Sequence, residues 1–316
     1  FEWKGDTSSD EICSHFYATN LFLKHVARAE EVGQAKEHLL AIAHHLIDNE
    51  WKLIDYNGTP TRWGRWDPAY FATEEGLYDR GLQALQLLSF IKTSASLNHD
   101  DKSIAAYQEL VNAEYPQFTL RQRNTFPPSG ILHFLDELAL WSYATLLEHE
   151  EDANLRSTYR RSLERSFEII RIEQNPWFNF VYGALTGNQC EIEPGVAHLR
   201  EWPLDLISYS YQNSHRADLQ TPKGYVPYKA GTRTFSPRET EPMRWDHWTM
   251  KADGGTGGRD VVEPGAWLLA YWMGRYHEFI TPPETTDPNL LSVKTRQKNN
   301  LGAKPYAGPK WPESFK

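Results

Sequence analysis

The chain of 316 residues has only two cysteines, Cys13 and Cys190. They show neither metal-ligand spacing nor a C-x-x-C redox pair, so two buried thiols and one long-range disulfide are the readings that stay open. Long apolar runs are missing: none approaches the ~18 residues of a membrane-spanning helix. Positive charge is scarce, with 33 Lys and Arg against 42 Asp and Glu and a formal net charge of -9. That balance argues against nucleic acid and anionic membrane as partners. Three catalytic signatures are absent as well. No His-Glu-x-x-His occurs, and no Gly-x-Ser-x-Gly nucleophile elbow. The glycine-rich run Asp253 to Asp260 lacks the lysine and the strand–helix context of a phosphate loop, and reads as the rim of an active site. His44 and His45 are adjacent and diverge on a helix, so no metal site and no cofactor is expected.

What the chain does have is apolar and aromatic material. Hydrophobic residues make up 40% and charged residues 24%, enough for a sizeable core. Twelve Trp and 16 Tyr are present, several in Gly/Pro-rich segments beside charges, where core packing explains them less well. The first residue is Phe1, not Met; a removed secretion signal is one reading of that start, and an extracellular or periplasmic location is the expectation.

Helical periodicity dominates. One helix follows Glu11 and runs to about Ala29, with Ile12, Phe16, Leu23 and Val26 in phase. Ser8 or Ser9 is placed to cap it. A second runs from about Gly33 to Ile54. After the punctuated segment from Tyr56 to Pro68 come pairs at about Leu77 to Leu97 with Lys102 to Ala113, and Ile131 to Glu150 with Asn154 to Gln174. A shorter helix opens at Asn175-Pro176-Trp177, and a last one near Pro264. The first helix of each pair is apolar on more than one face, and the second is more charged, as inner and outer helices are. The repeat of about 50 residues predicts a mainly α fold, a toroid of paired helices. It spans 1–280, with 186–262 as long loops and 281–316 as an irregular tail.

Four places offer chemistry. Asp10 and Glu11 open the first helix beside Asp6, with His15 one turn beyond Glu11. Acids in a first turn also simply stabilise a helix. Asp136 and Glu137 interrupt an apolar run, which is costly unless they are paired or face a cavity. The run Arg62-Trp63-Gly64-Arg65-Trp66-Asp67 sets indole faces for sugar rings beside groups that bind hydroxyls. Similar clusters return around Trp177, around His215 and Arg216, and around Trp245. Glu263 is a reserve acid ahead of the last helix, and Arg275 lies within it.

Paired helices, Trp-rich loops and acids opening inner helices resemble the six-hairpin (α/α)6-barrel proteins that degrade glycans. Trp3 to Glu11 and Tyr271 to Tyr276 are similar to stretches in that class. The resemblance implies a cleft at one end of a barrel and glycoside hydrolysis by two carboxylates, one from Asp10 or Glu11 and the other from Asp136 or Glu137. The expected ligand is an oligo- or polysaccharide, with uronides among the candidates. Two alternatives remain. A polysaccharide lyase would use His15 or His215 with Tyr17 or Tyr211, helped by Arg216 or Arg275. A non-catalytic glycan-binding or structural protein would tie its acids into salt bridges.

Overall fold

Ser8, itself in extended backbone, starts the first helix. In the computed structural model, which describes residues 5–120, 133–171, 174–202, 206, 224–225, 251–252, 264–283 and 293–295, Ser8 and Glu11 form a reciprocal capping box on α1 (Ser9–His25). The Glu11 carboxylate accepts from the Ser8 N–H at 2.8 Å and from the Ser8 hydroxyl. The pair thereby satisfies groups that the helix start would leave orphaned. Glu11→Ala is expected to cost about 1 kcal/mol, seen as a lower denaturant midpoint at unchanged slope.

The chain continues through α2 (Ala29–Asp48), a hairpin of β1 (Lys52–Ile54) and β2 (Pro60–Arg65), α3 (Pro68–Phe71), α4 (Glu74–Asn98), α5 (Asp101–Asn112), α6 (Tyr115–Thr119), α7 (His133–His149) and α8 (Ala153–Ile170). Then follow α9 (Pro176–Thr186), α10 (Ile192–Glu201), the short pair β3 (Gly224–Tyr225) and β4 (Lys251–Ala252), α11 (Gly265–Tyr276), and the pair β5 (Ile280–Pro283) and β6 (Val293–Thr295). The fold is mainly α-helical and built of many helices. Where the sequence reading takes 1–280 as one body, the chain divides into two compact units, Phe1–Asn124 with Leu135–Ser166, and Thr125–Phe134 with Phe167–Lys316.

In the first unit the inner and outer distinction holds for α4 and α5, whereas α1 buries a single stripe, Ile12, Cys13, Phe16, Tyr17 and Asn20. Helix α4 is buried without a break from Gly81 to Ile91. Helix α5 buries only Ser103, Ala106, Tyr107 and Leu110, one stripe at helical spacing. Side-chain pairs fix the directions. Cys13 meets Ser142 at 3.5 Å and Asn20 meets His149 at 2.8 Å, so α1 and α7 run parallel. Ser89 bonds Thr145, and Ser96 lies 3.1 Å from His149, so α4 is parallel to α7. Phe16 stacks on Phe90 at 4.8 Å between α1 and α4. These three helices touch one another pairwise. The outer helices are tied on by polar contacts. Asp100 caps α5 and lies 2.8 Å from His44 of α2. Burial opposes ionisation there, yet the bonds from His44 and Ser103 bring its carboxyl down to about 2.

Helix α2 ends at Asp48, earlier than its periodicity suggests. Glu50 and Trp51 both take left-handed backbone, which no helix continues through. Residues 52–54 then pair as a strand. The turn is built by Asn57, whose side chain accepts from the Thr59 N–H at 2.9 Å, and by Gly58 at φ 81°. The second unexpected element is α10, inside the stretch read as loops. Ile192, Val196 and Leu199 line its buried side.

In the second unit α9 packs on α10 and α11. Gly274 of α11 lies so close that a Cβ there would come 2.9 Å from the Phe180 ring and 2.7 Å from Ile280. Trp267 donates its indole N–H to the Leu199 carbonyl at 2.9 Å. Buried His198 has no partner on Nε2, and burial lowers its pKa to about 4. A histidine that is harder to protonate when folded stabilises fully above its unfolded pKa of about 6.5 and loses that contribution as pH falls toward 4. Unfolding stability is therefore expected to fall by about 2 kcal/mol between pH 7 and pH 5, and His198→Phe to flatten most of that slope. Burial shifts His149 and His15 in the same direction.

Candidate functional site

The hairpin is pinned to the start of α1 by Asp6. Its backbone takes φ 54°, and its N–H donates to Asp55 at 2.8 Å. Its carboxylate accepts from the Arg62 N–H at 2.8 Å and from Arg62 Nε at 2.5 Å. Gly64 is needed in this strand, since a Cβ there would stand 2.6 Å from Leu53 Cβ and from Thr61 Oγ1. The two flanking tryptophans then go opposite ways. Trp63 is 47% exposed, with the Arg62 guanidinium 5.8 Å from its ring centre. Trp66 is 0% exposed, edge-on to Phe90, with its N–H 3.4 Å from Gln86 Oε1 and its backbone carbonyl accepting from the Tyr115 hydroxyl at 2.7 Å. No face of Trp66 is left for a sugar. Asp67 is also structural: buried, it caps α3 through the Tyr70 N–H at 3.0 Å and lies 3.7 Å from Arg65.

The parallel register brings three polar residues, Asp10, Gln83 and Glu137, to within about two residues of one level. Cys13 beside Ser142, and Asn20 beside Glu148 and His149, put Asp10 level with Leu138 and Ala139 on α7, one to two residues or about 1.5–3 Å along the axis past Glu137. Phe16 beside Phe90 puts Asp10 level with Ala84 on α4, next to Gln83, and Ser89 beside Thr145 puts Gln83 level with Ala139, about 3 Å along the axis past Glu137. Faces agree with levels. Asp10 lies on the side of α1 that carries Tyr17, and Glu137 one turn before Trp141, and those two rings stack at 5.7 Å. Asp136, one residue earlier, turns instead toward the side carrying Tyr143, whose hydroxyl lies 2.6 Å from Ser162 of α8. Both acids of α7 are half-buried, as is Asp10. At this level α1 has just begun, whereas α4 and α7 continue by about 14 Å and about 6 Å. The step is bordered by the hairpin that Asp6 holds. Beneath it lies Cys13, whose thiol burial pushes up to about 12, with Ser142, Asp10 and Gln86 around it.

The remaining predicted residues fall elsewhere. Glu11 is engaged in the cap of α1. His15 is exposed on the flank of α1 that faces α2, its Nδ1 3.2 Å from His38 Nε2. Trp177 is buried in the core of the second unit against Phe178. Arg275, also of the second unit, donates to the Tyr271 hydroxyl at 2.9 Å and sits over the Tyr271 and Trp272 rings. His215, Arg216, Trp245 and Glu263 lie outside the described residues, as do the Asp253 to Asp260 run and most of 281–316. Cys13 and Cys190 are buried thiols, not a disulfide. Gln83 was missed by sequence reasoning. Its signal was available: two glutamines, Gln83 and Gln86, in an otherwise apolar helical stretch. No described helix is long and apolar enough to cross a membrane. Comparison with protein-family models, with curated proteins and with solved structures returns no match to this chain.

Proposed function

We propose that the step at the start of α1 is a carbohydrate-cleaving site and that the protein is a glycoside hydrolase acting on an oligo- or polysaccharide. The observation that carries this reading is the nearness of Asp10 and Glu137, within about two residues of one level and on facing sides of two parallel helices. Two carboxyls so disposed suit the division of labour in glycosidic cleavage. One protonates the departing oxygen while the other activates water or attacks the anomeric carbon. Exposed Trp63 beside Arg62 supplies an apolar face and hydrogen-bond donors for a sugar. The reading needs no six-hairpin ring. An extracellular or periplasmic location goes with it.

The test is digestion of a panel of neutral and uronate-containing oligosaccharides, with products separated by chromatography and followed in the ultraviolet. Saturated products are the expected result. Unsaturated uronates would make the protein a lyase, and binding without products would make it a glycan-binding protein.

A further inference from the structure

Two histidines meet between the first two helices. His15 stands on an interior turn of α1 and His38 on an interior turn of α2, 23 residues apart in the chain, and both are exposed. His15 Nδ1 and His38 Nε2 lie 3.2 Å apart, at the long end of the hydrogen-bond range. The ring centres are 4.9 Å apart and the ring planes are inclined at 66°. Nitrogens aimed straight at each other would hold the centres apart by their own separation plus two ring radii, which is more than is seen. The two nitrogen axes therefore meet at an angle, as those of two ligands on one ion do. With Zn–N bonds of about 2.05 Å, nitrogens at this separation subtend about 100° at the ion, near the tetrahedral angle. A lone hydrogen bond between exposed side chains contributes little and asks for no particular pair of residues. Two imidazoles converging nitrogen to nitrogen from rigid helices are what a metal ion asks for.

We infer that His15 and His38 form a two-histidine site for a divalent transition ion of the zinc class, which ties α1 to α2. The proton held between the rings moves to the other nitrogen of the ring that carries it, and both facing lone pairs then go to the ion. Among the described residues no group of three His, Cys, Asp or Glu forms a cage, so water fills the remaining positions and the ion exchanges readily. Glu11, one turn before His15, adds a negative charge near enough to act on that imidazole. Imidazole suits Zn2+, Cu2+ and Ni2+, whereas Mg2+ and Ca2+ seek oxygen. The site is independent of the carbohydrate reading and takes no part in bond cleavage.

The experiment titrates Zn2+ into the protein at neutral pH by calorimetry, with Mg2+ as the oxygen-seeking control, and follows thermal unfolding with and without the ion. It compares wild type with His15→Gln, His38→Gln and His25→Gln, the last at an exposed histidine in the final turn of α1. Wild type is expected to bind Zn2+ and not Mg2+, and to unfold about 5 °C higher at about a hundredfold excess of Zn2+ over its Kd. His15→Gln and His38→Gln are each expected to weaken binding by at least about tenfold and to lose the rise in Tm, while His25→Gln keeps both. If the two variants do not fold, the ring resonances of the wild-type histidines decide. Zn2+ is expected to shift those of two histidines together, and shifts spread over many histidines overturn the site. No Zn2+ binding by wild type, or binding that either His15→Gln or His38→Gln retains, also overturns it and leaves the carbohydrate reading standing.

Discussion

Asp10→Asn and Glu137→Gln are each expected to lower kcat/KM on a cleaved glycan by about 10²–10⁴-fold, the range for removal of a positioned acid or base. Thermal unfolding should stay close to wild type, because all three substitutions in this series exchange oxygen for nitrogen at constant shape. The third, Asp136→Asn, is the control that gives the prediction its force. Asp136 is adjacent in sequence and equally half-buried, but it turns toward the Tyr143 side of α7. Its variant should keep activity within about tenfold of wild type, well short of the loss that an acid or base shows. Equal loss from Asp136→Asn and none from Glu137→Gln would mean that the helix register has been read wrongly.

The two tryptophans of the Arg62 to Asp67 segment should separate stability from binding. Trp66→Ala removes a fully enclosed indole from between α4 and the hairpin, and is expected to cost about 3–5 kcal/mol. For a protein of this size that corresponds to a Tm lower by about 10 °C. Trp63→Ala exposes no cavity and should leave Tm nearly unchanged, while raising KM for the glycan at nearly constant kcat. Calorimetry on the two variants with steady-state kinetics on the second checks both halves. A stable Trp66→Ala variant with weakened glycan binding would reverse the assignment.

Much of the helical architecture was legible because its physics is local. Helix α4 announces itself by apolar residues on several faces from Gly81 to Ile91, and α5 by a single stripe. Ser8 or Ser9 was readable as the cap of the first helix, and Ser8 takes that place. The hairpin was harder. The apolar spacing of α2 carries on to Ile54, and only the left-handed Glu50 and Trp51 stop it. Asn57-Gly58 was the available signal for the turn. Helix α10 was hidden because it is short and stands among prolines and glycines, although Ile192, Val196 and Leu199 keep helical phase.

The candidate site was legible in residue type but not in partnership. Sequence offers Asp10 and Glu11, or Asp136 and Glu137, as equals; only packing shows that Glu11 serves the helix cap and that Glu137 shares a face with Trp141. Trp63 and Trp66 are three residues apart and alike on paper. The strand exposes one and the core encloses the other, for a reason that lies in α4 and Gln86.

The most direct measurement is a crystal structure of the Glu137→Gln variant soaked with an uncleaved oligosaccharide. The account predicts a glycosidic oxygen at the step above α1, with Asp10 and the residue-137 amide on either side of the scissile bond and a sugar ring against Trp63. An oligosaccharide bound in the second unit, or along the outer face of α5 or α8, would contradict it.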